Sequence, residues 1–373
     1  MSNPNLESSF VAIPEQLGDV ANIPRASYAS ISLYAPARVT VDLDLSDNTN
    51  QWGAPPSVAR TLSALDPSLV TQYPAQPMTE LEAALARFVG VADSSAIVPG
   101  CGSDDLLDCI MRALAEPGDV IVHAQPTFSM IPYFARTNGL IPVGVPLVGN
   151  WSIDVDAMLE KNARLVYLCA PNNPTGTGIS DSAIRRLLDE STGIVILDEA
   201  YAEFASASWA ERATRERRLV VTRTLSKAFG LAGLRIGYAV GSPALMLEIA
   251  KARGPYKVNA VAERIATTVL REDLDWVRAR AAEAIEAREW LVRELAASGY
   301  TALPSEANFV LIPFPHAPAC AERLASLGIL VRAFSALPGI GDALRITVAP
   351  LPRLVRMLAT LHVVAEELQG STR

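Results

Sequence analysis

Cysteine and histidine are scarce in this chain. Its 373 residues include four cysteines (Cys101, Cys109, Cys169 and Cys320) and three histidines (His123, His316 and His362). No two cysteines form a Cys-x-x-Cys pair and the histidines are scattered, so the spacing offers neither a zinc site nor a disulfide framework. The cysteines read as reduced, mostly buried thiols of a cytosolic protein. Long apolar runs are also missing. No uncharged stretch reaches the roughly 20 residues that cross a bilayer, and the first thirty residues lack a basic start followed by an apolar core. Neither a membrane span nor a signal peptide is therefore expected. Internal repeats and low-complexity tracts do not occur. Basic residues are outnumbered, with 32 Lys and Arg against 40 Asp and Glu and a net charge of −8. That balance argues against nucleic acid or anionic membranes as general partners. A small anionic substrate would then need local cations, for which Arg332 and Arg345 are candidates.

What remains is the composition of a soluble globular protein, half hydrophobic and 19% charged, long enough for one large α/β domain and a smaller one. Residues 1 to 35 are polar and irregular and read as an N-terminal arm. Further on, short apolar runs alternate with helical patterns. Strands are expected at Val120–His123, Leu165–Cys169, Ile194–Leu197, Leu219–Thr222 and Ile236–Val240, with helices such as Ser103–Ala115 and Asp181–Glu190 between them. This alternation predicts βαβ units around a mostly parallel sheet flanked by helices. Ligands in such sheets sit beyond the carboxyl ends of the strands. The pattern changes near Gly254-Pro255. A charged helix over Asp275–Ser298, strands at Asn308–Pro313, Ile329–Arg332 and Leu344–Val348, and a last helix from near Pro350 suggest a smaller α+β domain. The expected division is thus 36–254 and 255–373.

The most informative segment is TRTLSKAFGLAGLRIGY, Thr222 to Tyr238. A strand leads into a turn with Thr224, Ser226 and Lys227, and Arg235 follows eight residues after the lysine. An apolar setting lowers a lysine's pKa, leaving it neutral enough to form an imine with an aldehyde. Two hydroxyls and a guanidinium suit a phosphate dianion. Imine-forming lysine plus phosphate cradle is what pyridoxal phosphate requires, although a lone pattern of this kind is more often a surface loop. Four other segments point the same way. PGCGSDDLLDCIM (99–111) opens a helix whose first N–H groups, near Ser103 and Asp104, would face a phosphate, or whose acids merely cap it. QPTFSMI offers Phe128 for stacking on a heterocycle, or for the core. APNNPTGTG (170–178) turns tightly and leaves Asn173 free to donate to a phenolic oxygen. DEAYAEF puts Asp198 at a strand end, where it could hold a pyridine nitrogen protonated or cap a helix. Tyr201 lies three residues on.

In this order and at these separations the segments resemble the fold-type I pyridoxal-phosphate enzymes, and within them the class II aminotransferases of the histidinol-phosphate aminotransferase family. The resemblance covers roughly residues 40 to 350 and extends to PYKVN (255–259), SEANF (305–309) and ALRITV (343–348). It implies that Lys227 is linked to the cofactor and moves the proton between substrate Cα and cofactor C4′. By the same resemblance Asp198 pairs with the pyridine nitrogen, while Asn173 and Tyr201 hold the phenolic oxygen and Phe128 stacks on the ring. Ser103, Asp104, Thr224, Ser226 and Arg235 take the phosphate. Tyr73 matches a tyrosine that reaches the neighbouring subunit's cofactor, implying a homodimer with shared sites. Arg345 matches the arginine that grips a substrate carboxylate or phosphate, with Arg332 as a second cation nearby. No metal is implied. The implied activity is cytoplasmic transamination between histidinol phosphate and 2-oxoglutarate, as in histidine biosynthesis. An aromatic amino acid aminotransferase and a phosphothreonine decarboxylase are alternatives on the same frame. A cofactor-binding regulator would carry a DNA-binding module in front, for which the N-terminal segment leaves no room.

Two departures bear on specificity. The family's Asn-Glu-Asn-Pro-Tyr-Gly segment reads Asn48-Thr49-Asn50-Gln51-Trp52-Gly53, with Asn50 and Trp52 the expected substrate neighbours. The family's PYNVN is PYKVN, placing Lys257 where an asparagine is usual.

Overall fold

The computed structural model describes residues 10–11, 25, 28, 31–34 and 40–370; most of the expected N-terminal arm lies outside them. Two short strands, β1 (Phe10–Val11) and β2 (Leu33–Tyr34), pair with each other, and β3 (Leu43–Asp44) follows. Seven strands then build the main sheet: β4 (Ile97–Gly100), β5 (Val120–Gln125), β6 (Ile141–Pro146), β7 (Leu165–Cys169), β8 (Ile194–Asp198), β9 (Leu219–Thr224) and β10 (Gly237–Val240). Their order is β4-β10-β9-β8-β7-β5-β6. All neighbours are parallel except β10, which runs antiparallel to both β9 and β4.

Strands β7, β8 and β9 are buried along their whole length. Their apolar runs (all of β7, Ile194–Leu197 of β8 and Leu219–Val221 of β9), rather than an alternating pattern, follow from helices covering both faces. On one face the helices Gly102–Leu114 and Pro243–Arg253 bury Leu106, Leu107, Ile110, Met111, Met246 and Ile249. The helix Asp181–Glu190 starts where expected, its N-cap Ser180 accepting from the Ala183 N–H.

Strands β4 and β6 escape the sequence reading for a shared reason. They are the two edges of the sheet and carry prolines (Pro99, Pro142, Pro146), which edges tolerate and which break the look of a strand.

A 24-residue helix, Leu274–Ala297, leads to the C-terminal layer. There β11 (Phe309–Pro313), β12 (Ile329–Leu330), β13 (Arg332–Leu337) and β14 (Gly341–Thr347) precede a final helix, Leu351–Gly370. β14 lies between β11 and β13, antiparallel to both. β12 pairs in parallel with β3, so Leu43–Asp44 joins this C-terminal layer although it precedes the main sheet in the chain. The helix Ala260–Glu272, beyond the expected division at 254, in turn packs on the helices Pro56–Ser63 and Thr79–Val89. Among the described residues no helix is long and apolar enough to cross a membrane.

Glycine is required where β10 passes the start of the helix Gly102–Leu114. A Cβ on Gly237 would lie 2.4 Å from the Ser103 nitrogen, 2.5 Å from the Gly102 carbonyl carbon and 2.9 Å from the Arg223 oxygen, all of them backbone atoms. Gly237→Ala is therefore expected to cost about 1–3 kcal/mol, the usual range for overpacking. Thermal or urea unfolding checks this, and unchanged stability would mean the helix start shifts freely.

Candidate active site

A cavity of about 360 Å³ opens at the carboxyl ends of the parallel strands, between the main sheet and the C-terminal layer. The β-strand register delivers its floor. Asp198 ends β8 beside Cys169 of β7 and Thr222 of β9. The Asp198 carboxylate is buried and accepts from the Tyr167 hydroxyl at 2.9 Å, the Ala200 N–H at 3.2 Å and the Thr222 hydroxyl at 3.3 Å. Burial pushes its pKa up to about 6, partly offset by the Tyr167 hydrogen bond. The Ala200 contact is the local turn expected of a strand-end aspartate, yet the carboxylate also faces the cavity.

Lys227 is half-buried above this floor, its ammonium donating to the Asp47 carbonyl at 2.8 Å. Burial, and then the Arg345 guanidinium, lowers its pKa to about 8. Its Nζ lies 5.8 Å from the centre of the Tyr201 ring. The Tyr201 hydroxyl is buried and accepts from Asn48 Nδ2 at 2.9 Å.

At the other side, Ser103, Asp104, Thr224, Ser226 and Arg235 meet. Arg235 adopts a left-handed backbone, φ 53°, and reaches Ser226 Oγ at 3.3 Å and Asp104 Oδ2 at 3.4 Å. A Cβ on Gly102 would fall 2.5 Å from its Nη2, so the guanidinium lies directly over the turn that opens the helix. Hydroxyls, a guanidinium and helix N–H groups facing one space form a donor set for a phosphate.

Phe128 is half-buried, lining the cavity while packing on the core behind it. Its loop is tied to the Asn-Pro turn by Asn172, which donates to the Pro126 carbonyl at 3.1 Å and accepts from Thr127 at 2.7 Å. Asn173 lines the cavity and accepts from Arg345 Nη1 at 2.6 Å. Arg345 and Arg332 are direct cross-strand partners on β14 and β13, and both line the cavity. Like charges placed opposite each other repel, an arrangement suited to an anion between them.

Two expected substrate neighbours, Asn50 and Trp52, are not brought into this cavity. Asn50 donates to the distant Ala228 carbonyl and accepts from the Trp52 N–H, so both ends of its amide are turned toward the backbone. Trp52 is thereby directed into a separate groove with Trp290, Glu283, Glu286 and Leu351. Tyr73, expected at the neighbouring subunit's cofactor rather than in this cavity, is 81% exposed and stacks on Tyr256 with ring centres 4.7 Å apart. In place of Asn50 and Trp52 the chain supplies Asp47, Asn48 and Thr49 from the same early segment. Sequence reasoning also missed Tyr167 and Asn172. The first of the paired asparagines in PNNPTG was a visible signal for Asn172; Tyr167, inside an apolar strand, gave none.

Fold and cavity together are those of a fold-type I pyridoxal-phosphate enzyme. The residues present fit that cofactor, with an amine of lowered pKa, a buried carboxylate and an anion cradle around one space. Residues 40–359 match the family model described as aminotransferase class I and II. A histidinol-phosphate aminotransferase of Roseiflexus castenholzii is 40% identical over 336 residues, covering 87% of this chain and 90% of that protein. One from Thermoanaerobacter is 35% identical over 336 residues, covering 88% and 95%. The crystal structure of histidinol-phosphate aminotransferase from Sinorhizobium meliloti in complex with pyridoxal-5′-phosphate superposes with a TM-score of 0.81 at 27% identity, covering 88% and 92%. The chain belongs to the class I and II aminotransferase family.

The raised pKa of Asp198 makes a linkage prediction for the cofactor-free protein. With a folded value of about 6 against 3.8 for the free carboxyl, the folded state binds more protons between these values. Stability therefore falls as pH rises from about 4 to 6, by roughly 3 kcal/mol in all. Asp198→Asn should flatten that decline, so that the variant gains on the parent above pH 6 and not below pH 4. Urea unfolding of both apo proteins at pH 4, 5, 6 and 7 measures it; parallel curves would contradict the burial argument.

Proposed function

We propose that this chain is a pyridoxal-phosphate aminotransferase exchanging an amino group between histidinol phosphate and 2-oxoglutarate. The observation that carries the substrate is the Arg332–Arg345 pair, opposed across two strands in the wall of the Lys227 cavity. Two guanidiniums are better matched by a phosphate dianion than by one carboxylate. The relatives named above, at 35% and 40% identity, support the same choice.

When bound, pyridoxal phosphate supplies an electron-withdrawing ring and an aldehyde carbon that accepts and returns the amino group. Ser103, Thr224, Ser226 and Arg235 hold its phosphate, with Asp104 orienting Arg235. Asp198 holds a proton on the ring nitrogen, its own charge balanced by that contact. Asn173 and Tyr201 hydrogen-bond the phenolic oxygen, and Phe128 fixes the plane of the ring. Lys227 Nζ, its pKa lowered to about 8, would take the proton from the substrate Cα and return it to the cofactor's reacting carbon. Asn48 orients Tyr201, and Arg345 spans the substrate anion and Asn173.

Tyr73, exposed in a single chain, supports a homodimer in which it reaches the partner's cofactor phosphate. Four free cysteines are consistent with the reducing cytoplasm. The large domain would comprise residues 36–254 and the small one 255–373, with Leu43–Asp44 bound to the latter and the helix Ala260–Glu272 packed on the former.

Single-turnover spectroscopy of the holo-protein tests the substrate. Histidinol phosphate, phenylalanine, tyrosine, glutamate and phosphothreonine are compared as donors by their conversion of the cofactor to its amine form. Histidinol phosphate should react fastest among the specific donors. Faster reaction with phenylalanine or tyrosine would make the chain an aromatic aminotransferase, and CO₂ release from phosphothreonine would make it a decarboxylase. Lys227→Ala should slow proton transfer by about 10²–10⁴-fold, the usual share of a positioned base. Arg332→Ala should raise the KM for histidinol phosphate by roughly 10-fold or more while leaving unphosphorylated histidinol little changed. Equal losses for both donors would remove Arg332 from phosphate recognition.

A further inference from the structure

Lys257 stands where the resembling family has asparagine, and its ammonium lies 2.8 Å from Asp105 Oδ1. The other oxygen of that carboxylate accepts from the Cys101 N–H at 3.0 Å. One carboxylate thus joins Lys257 to the turn that opens the helix Gly102–Leu114, on which Ser103 and Asp104 face the cavity.

That first turn carries two acids, Asp104 and Asp105, at the helix end where an anion is to bind. Each acid meets a cation. Asp104 is matched by Arg235 at 3.4 Å and Asp105 by Lys257. Two more guanidiniums also act on Asp105 through their charge but make their hydrogen bonds elsewhere, leaving Lys257 as its ion-pair partner. Arg112 pairs with Asp108 at 3.0 Å, and Arg253 donates to the Pro99 carbonyl and to Gln76. The Asp105 side chain is 12% exposed and that of Lys257 39%. Water thus screens the carboxylate poorly, while the pair is too open to add much to stability. An asparagine could still hydrogen-bond Asp105, but it could not cancel the charge.

We propose that Lys257 is a positioning residue for the cofactor-phosphate cradle, holding Asp105 as the cap on Cys101 and neutralising the charge it would otherwise present to a phosphate dianion. This rests on the reading that the cradle takes the phosphate of pyridoxal phosphate. The other side of the same short segment is fixed by Tyr256, left-handed at φ 57° and stacked on Tyr73. Lys257 therefore links the cradle of its own chain to the aromatic pair on the outer surface.

The test is equilibrium titration of the full-length apo-protein with pyridoxal phosphate and, separately, with pyridoxal, which lacks the phosphate. Lys257→Met and Lys257→Asn are expected to weaken pyridoxal phosphate about tenfold and to leave pyridoxal within about twofold, the scale of one unscreened charge at a partly buried site. Lys257→Arg should bind as the parent does. Adding Asp105→Asn to Lys257→Met should restore most of the affinity, because asparagine keeps an acceptor for Cys101 but carries no charge. Equal weakening of both ligands, no weakening, or no rescue by Asp105→Asn each overturns the proposal. Lys257→Asn carries the test if Lys257→Met fails to fold. Arg235→Met separates the two readings: if it does not reduce the preference for the phosphorylated ligand, the cradle reading itself has failed.

Discussion

Cys169, Asp198 and Thr222 stand side by side on three parallel strands, and the chemistry of the cavity depends on that register. A strand shifted by one residue turns every side chain to the opposite face. With β7, β8 and β9 buried on both faces, such a slip would take Asp198 from the cavity into helix packing. The position of the carboxylate is therefore set by Ile194 to Leu197 and their neighbours rather than by its own contacts. Tyr167 and Thr222 then do what those apolar residues cannot, giving a desolvated acid hydrogen bonds from two adjacent strands.

Burial acts in opposite directions on the two central groups. It raises the Asp198 carboxyl to about 6 and lowers the Lys227 amine to about 8, in each case because the charged form loses hydration. Both groups are thus displaced toward their neutral forms, which for Lys227 is the form that can take up a proton. Around them the charges are sorted. Arg235 faces Asp104 on one side, and Arg332 and Arg345 face each other on the other. An acidic chain with a net charge of −8 thereby holds cations where small anions are to be bound. The unfavourable Arg332–Arg345 juxtaposition is kept in place by the β13–β14 ladder.

The strands of the main sheet's interior were legible because apolar runs bounded by turn chemistry admit few other readings. Four of the five expected there begin at the observed residue, and Gly237–Val240 differs by one. The cofactor side of the cavity was legible for a related reason, since its residues follow directly from strand ends that the sheet aligns. What escaped depends on contacts distant in sequence. Asn48 reaches the cavity through Thr347 and Asn308, both of which hydrogen-bond it from nearly the far end of the chain. Strand β3 belongs to the C-terminal layer only because β12, almost 300 residues later, pairs with it. Proline hid the two edge strands, and β7's apolar run concealed the single hydroxyl, Tyr167, that meets Asp198.

The early segment shows most clearly how a correct location can still misassign residues. Asn48 turns the chain at φ 55°, and Asn50 then folds back on Ala228 while the Gly53 carbonyl packs against Gly230, where a Cβ would come within 2.9 Å. Two anchors on the turn that follows Lys227 leave Trp52 no path inward, and it packs toward the long helix beside Trp290. Any selectivity this segment confers thus enters the cavity through Asp47, Asn48 and Thr49. The same geometry gives Asp47 a second part. Its carbonyl accepts from Lys227 while its carboxylate opposes the effect of Arg345 on that amine. The segment that departs most from the family pattern is therefore joined by hydrogen bonds to the lysine, to its turn and to Tyr201, so its sequence bears on the basicity of Lys227 as well as on the fit of a substrate.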